Sequence, residues 1–129
     1  MTQLASGKEG FTMTIENDIF YCFFDHDIII DLNIAEEAIK KRNELMGDKA
    51  LPSLIDFREV KYLLQGAKDV LFNKDGFFEG EPVAIIVNSF IIQTSIKFAM
   101  SISARPVSYQ MCVSTKKAEE WLLKQRKKK

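Results

Sequence analysis

Hydrophobic and polar positions along this chain change period several times, and each change marks an element. Residues 11–16, "FTMTIE", alternate Phe11, Met13 and Ile15 with polar neighbours, the period-two pattern of a strand with one wet face. "ND" then turns the chain into "IFYCFF", an unbroken apolar run that needs cover on both sides. A β-hairpin is expected here. After the polar turn "DHD" and the short apolar "III", the spacing shifts to a helical one. Ala35, Ala38, Ile39, Leu45 and Met46 fall on one stripe, Asn33 with Glu36 forms a capping-box pattern at its start, and Gly47 marks its end. Glu36 with Lys40 and Glu37 with Lys41 are placed as i,i+4 pairs on the wet side, and Arg42 enters the apolar stripe as a snorkelling stem.

"SLIDF" has the look of a strand, followed by Val60, Leu63, Leu64, Ala67, Val70 and Leu71 at helical spacing. Asp56 with Glu59 makes a second capping-box pattern directly before that stripe, and Gly76 would close the helix. "FFEGEP" is expected as a loop. The fully apolar "VAIIVNS" is typical of a central parallel strand, after which Asn88 or Ser89 caps a third helix, "FIIQTSIKFAMSIS", ending before Pro106. "VSYQMCV" is a further strand. Ser114 or Thr115 then opens a last helix with Ala118, Trp121 and Leu122 inward. After the hairpin, strands and helices alternate, which predicts an α/β fold with a mostly parallel sheet, an N-terminal antiparallel hairpin and four helices.

The third helix departs from the others. Ile91, Ile92, Ile96, Phe98, Ala99, Met100 and Ile102 make an apolar arc of roughly 200°, against about 120° for the stripe from Val60 to Leu71. One sheet face does not cover that width. Three explanations are open: a neighbouring helix of the same chain, a self-association surface, or a pocket for an apolar small molecule lined by Phe90, Met100 and the aromatic hairpin.

Composition narrows the function classes. The chain has 129 residues, 47% hydrophobic and 28% charged, which suits one compact domain over 11–124 between a flexible N-terminus (1–10) and a basic C-terminal tail (125–129). Eighteen basic and eighteen acidic residues cancel, so no global field draws nucleic acid or an anionic membrane, and neither nucleic-acid binding nor membrane insertion is expected. "MTQLASGKEG" lacks the regions of a signal peptide, and the protein is expected to be cytoplasmic. Cys22 and Cys112 sit singly in strand-like runs and are expected as buried thiols. Their spacing with the single His26 matches no metal site, and the six glycines form no phosphate-binding loop, so no metal or cofactor is expected. His26 lies between Asp25 and Asp27, yet no nucleophile motif accompanies it, and the triplet is better explained as a polar turn.

The series "LNIAEEAIKKRNEL", "LPSLIDFREV", "PVAIIVNSF" and "KKAEEWLL" resembles the bacterial STAS or SpoIIAA-like domains, in particular a group of small stand-alone members. The similarity covers residues 11–123. Its most recognisable parts are Asp56 with Arg58 two residues on, the apolar strand running into Asn88 and Ser89, and the closing Ala118, Trp121 and Leu122. The resemblance implies a sheet flanked by helices and no enzymatic role. In anti-sigma factor antagonists of this type a phosphorylatable serine follows the strand matching "SLIDF". Here Asp56, Phe57, Arg58, Glu59, Val60, Lys61 and Tyr62 include no Ser or Thr, so the switch is not carried over. Other relatives have been proposed to bind nonpolar ligands. The expectation is therefore a non-enzymatic interaction or regulatory module, a homodimer through the third helix or a binder of another protein. The alternative is a carrier or sensor of a small apolar, lipid-like ligand at that helix.

Overall fold

The computed structural model of the chain describes residues 3–6, 10–72, 82–102 and 108–127. Among the described residues twelve elements follow one another: β1 (Gln3–Ser6), β2 (Phe11–Glu16), β3 (Ile19–Phe24), β4 (Ile28–Ile30), α1 (Leu32–Met46), β5 (Ser53–Asp56), β6 (Val60–Leu63), α2 (Gln65–Leu71), β7 (Val83–Ile86), α3 (Phe90–Ser101), β8 (Tyr109–Cys112) and α4 (Thr115–Lys127). Six strands form one sheet in the order β1-β2-β3-β5-β7-β8, and β4 with β6 forms a separate pair. β1–β2 and β2–β3 are antiparallel, and every later pairing in the large sheet is parallel. The mixed α/β architecture with four helices is the one the alternating pattern predicts.

The hairpin forms for local reasons. Asn17 and Asp18 both take positive φ, 53° and 61°, the conformation of a tight turn whose twist matches its strands. Register then pairs Met13 with Cys22 and Ile15 with Phe20. β2 buries every second residue, whereas β3 is buried at five of its six positions, as an internal strand must be. From the end of α4, Arg126 donates to the carbonyl oxygens of Asn17 and Asp18 at 3.0 and 3.2 Å, so a basic residue assigned to a tail lies within α4 and holds the hairpin turn.

Two apolar layers flank the sheet. On one face Phe11, Met13, Phe20, Cys22, Ile55 and Ile85 pack under α1, α2 and α3; on the other Ile19, Tyr21, Leu54, Ala84 and Ile86 pack under α4 through Ala118 and Leu122. β5 and β7, between the layers, are buried at all positions. Cys22 and Cys112 are free, buried thiols, and burial raises the pKa of both, which leaves them little thiolate character.

Four expectations change. Asp31, not Asn33, caps α1, its carboxylate accepting from the Ile34 amide at 2.9 Å, and Gly47 ends the helix at φ 56°. Residues 60–63, expected at the start of a helix, are strand β6, and α2 spans only seven residues. The cause is a bulge: Ile28 pairs with Val60 but Ile29 pairs with Tyr62, so Lys61 is an extra residue and Val60 and Leu63 both face inward at a spacing of three. That spacing imitates a helical stripe. The capping box of Asp56 and Glu59 is accordingly replaced by other contacts, described below. β1, finally, pairs with β2 in a stretch to which the sequence assigned no element. Gly76, most of "FFEGEP" and Pro106 lie outside the described residues.

Candidate functional site

Because β3, β5, β7 and β8 run parallel, their carboxyl ends share one edge of the sheet, the place where open α/β sheets most often bind ligands. Backbone pairing continues a step past the strands there, from the Phe57 amide to the Ile86 carbonyl at 2.8 Å and from the Val87 amide to the Cys112 carbonyl at 3.1 Å. Asp56, Arg58 and Glu59 all sit at this edge, and the structure brings them together with groups the sequence did not connect.

Asp56 is buried, and its carboxylate is filled by one neighbour. It accepts from the Arg58 amide at 2.9 Å, from Arg58 Nε at 3.1 Å and from Arg58 Nη2 at 2.7 Å. Arg58 Nη2 also reaches Thr115 Oγ1 at 3.3 Å, tying the β5 end to the start of α4. The hydrogen bond to Asp56 raises the Arg58 pKa further above its usual value. Such a carboxylate is a structural clasp, already engaged by a permanent cation, and is poorly placed to act as a general base. Glu59, expected as the capping partner, turns instead to His26: its Oε2 lies 2.5 Å from His26 Nδ1, and its backbone oxygen accepts from the Asp27 amide at 2.9 Å. His26 is therefore oriented by Glu59 rather than by the adjacent aspartates. That hydrogen bond, with Asp27 and Glu59 as nearby negative charges, raises the imidazole pKa, although the ring is solvent-exposed. Tyr21, on the α4 side, donates to Glu119 at 2.6 Å; burial first and this bond second push its pKa up. Among the described residues no three His, Cys, Asp or Glu side chains converge as metal ligands, and no helix is long and apolar enough to cross a membrane.

The third helix is the second candidate. Ser89 caps it, accepting from the Ile92 amide at 3.3 Å, and Ile92 and Ile96 fill the core at 4% and 0% exposure. Ala99 and Met100 are half-buried against that core. The remaining apolar positions face water: Phe90 is 80% exposed, Ile91 77%, Phe98 66% and Ile102 67%. α2 is the neighbour on one flank, through Lys68 Nζ donating to Ser95 Oγ at 2.8 Å, and it leaves those four side chains bare. The wide arc thus divides into an inner half under which the sheet packs and an outer half exposed on the single chain. Phe90 points outward, while the hairpin's Phe11, Phe20 and Phe24 are buried within the core.

Sequence reasoning did not single out Ile29, Leu32 and Tyr62 and set Leu64 on a helical stripe; all four are further exposed apolar residues around the β4–β6 pair. Ile29 and Tyr62 are register partners, and Lys61 Nζ lies 5.8 Å from the Tyr62 ring centroid. The bulge hid them, since Leu64 fits an inner helical stripe until Lys61 is counted out.

The family described as "Domain of unknown function (DUF7793)" matches residues 13–126. This chain belongs to that family. A search of curated proteins finds no match. Among solved structures, an uncharacterized protein of the DUF3478 family with a SpoIIAA-like fold, from Shewanella loihica PV-4, is 18% identical, with 95% of each chain covered and a TM-score of 0.58. A protein of unknown function from Arthrobacter sp. FB24 is 24% identical over 92% of this chain and 95% of its own, with a TM-score of 0.36. The fold is SpoIIAA-like, as the resemblance implied, and no catalytic family is indicated.

Proposed function

We propose that this DUF7793 domain is a non-enzymatic interaction module that associates with a second copy of itself through the outer face of α3. The observation that carries the reading is the exposure of Phe90, Ile91, Phe98 and Ile102 on a helix whose inner face is already satisfied by the sheet. Large apolar groups gathered on one face are seldom left in water. Phe90 and Phe98 alone present on the order of 250 Å², so the contact is at the small end of specific interfaces and its dimer should be concentration-dependent. The clasped Asp56 and the absence of Ser or Thr from 56–62 support a binding role that runs without the relatives' phosphoswitch.

Sedimentation equilibrium on the purified chain tests this. The wild type should move from monomer to dimer as concentration rises, and Phe98→Asp should stay monomeric with an unchanged far-UV spectrum. A wild type that remains monomeric into the millimolar range would sink the reading. If that monomer carried a co-purified apolar small molecule displaced by Phe98→Asp, the alternative, a ligand carrier, would take its place.

A further inference from the structure

β4 and β6 pair apart from the six-stranded sheet, and the two ends of their pair are held differently. At the far end Ile30 and Leu63 enter the core, and the Leu64 amide donates to the Ile30 carbonyl oxygen at 3.0 Å. At the near end Val60 is buried but Ile28 is half-buried, and the bulge at Lys61 breaks the ladder before the next rung. Two turns meet just outside that end. Asp27 lies in one at φ 61°, a left-handed conformation that a residue with a Cβ adopts at a cost. Glu59, from the other, grips it twice: its carbonyl oxygen accepts from the Asp27 amide at 2.9 Å, and its Oε2 lies 2.5 Å from His26 Nδ1.

From this arrangement we infer that His26 and Glu59 form a proton-operated latch, closing the near end of the β4–β6 pair when His26 is charged and slackening it when His26 is neutral. The latch is independent of the self-association proposed above. Its chemistry lies at Nδ1. An imidazolium always presents an N–H there, and its charge strengthens the bond to a carboxylate. A neutral ring places its single proton on either nitrogen, and the tautomer with a bare Nδ1 sets a lone pair against Glu59 Oε2. Release therefore removes the side-chain half of the grip and leaves the bond from the Asp27 amide to hold a left-handed turn alone.

Both side chains reach solvent, His26 at 82% exposure and Glu59 at 53%, so bulk pH sets the state of the latch directly. Among the described residues, Glu59 across the gap and Asp27 on the same turn are the charges that act on the ring. Asp25 is the remaining acid of that turn, and Arg58, next to Glu59, is spent on Asp56. The bond from Glu59 first, and these charges after it, favour the protonated ring. Protonation and closure thus favour each other. The full grip is present below the ordinary histidine value of about 6.5 and is lost as pH rises through the raised one. An exposed pair of this kind governs a turn and leaves the rest of the fold in place.

Amide exchange followed by NMR from about pH 5 to about pH 9, with the intrinsic rate divided out, reads the latch at the Asp27 amide. Protection there should fall as pH passes the His26 midpoint, measured in the same titration from the ring protons. The fall should be roughly tenfold for each unit by which that midpoint exceeds the one in Glu59→Gln. The Leu64 amide, bonded at the far end, should keep its protection throughout. In Glu59→Gln and in His26→Asn the Asp27 amide should show no step, with Leu64 still protected as evidence that each variant is folded. A flat Asp27 profile in the wild type would overturn the latch. So would an equal fall at Leu64, which marks a loss of global stability, or a step that survives in either variant, which assigns it to another group.

Discussion

α1 and α3 pack on the same face of the same sheet, and their outer surfaces have opposite character. α1 buries Ala35, Ala38, Arg42 and Met46 and, apart from Leu32 at its first position, turns polar residues to water: Asn33, Glu36, Lys40, Asn43 and Glu44. α3 buries Ile92 and Ile96 and turns Phe90, Ile91, Phe98 and Ile102 to water. Since α1 covers the sheet with a polar exterior, the apolar exterior of α3 is no requirement of the fold. It is surplus, and a surplus of that kind costs solubility unless something covers it. α1 is in this sense an internal control, showing what a helix in this position looks like when its outer face has only solvent to meet.

The comparison breaks most easily at the inner positions. Ile96→Ala removes a fully buried side chain and should destabilise by about 2–5 kcal/mol, seen as a lower urea midpoint at unchanged slope. Ile91→Ala, five residues earlier on the outer face, should change the stability of the dilute protein by less than about 0.5 kcal/mol. Equal losses from the two would mean that the outer half of α3 is structural after all.

The helix starts should behave alike, because both are capped by the same physics. Asp31→Ala and Ser89→Ala each remove an acceptor from an orphan amide and should cost about 1 kcal/mol. Ser89 should cost the less of the two, its bond being 3.3 Å against 2.9 Å. A much larger loss at Ser89 would show α3 to be anchored differently from α1.

The smallest effect probes how the two helices are launched. α3 follows β7 directly, while α1 is reached through a turn that Glu59 fastens by way of His26 and the Asp27 amide. The Glu59 contact raises the His26 pKa in the folded chain, so its contribution is fully present below the ordinary value near 6.5 and is lost as pH rises through the raised one. His26 is the sole histidine, and its ring protons report the midpoint in an NMR titration. Glu59→Gln should bring that midpoint back down. A midpoint unmoved by the change would mean that the pair does not persist in solution.

Most of the architecture is legible in the residues because it is set by short-range signals. Alternation in "FTMTIE", continuous apolarity in "IFYCFF" and "VAII", the 3.6-residue stripe of α1 and a polar cap before α3 each act within a few positions, and each is found where its pattern lies. The segment 56–64 is where such signals fail. Asp56 and Glu59 do form a capping box on paper, but their true partners are Arg58 and His26, the latter 33 positions from Glu59, and Arg58 in turn reaches Thr115, 57 positions away. A bulge in β6, imposed by pairing with β4, gave strand residues a helical spacing.

The same division holds for the candidate site. The sequence by itself determined that α3 has more apolar width than one sheet face can use, since helical geometry is local. Which half of that width is buried was decided by the tertiary structure, because burial depends on neighbours brought in from distant parts of the chain. The core takes Ile92 and Ile96, α2 meets the flank at Ser95, and Phe90, Ile91, Phe98 and Ile102 are left facing water.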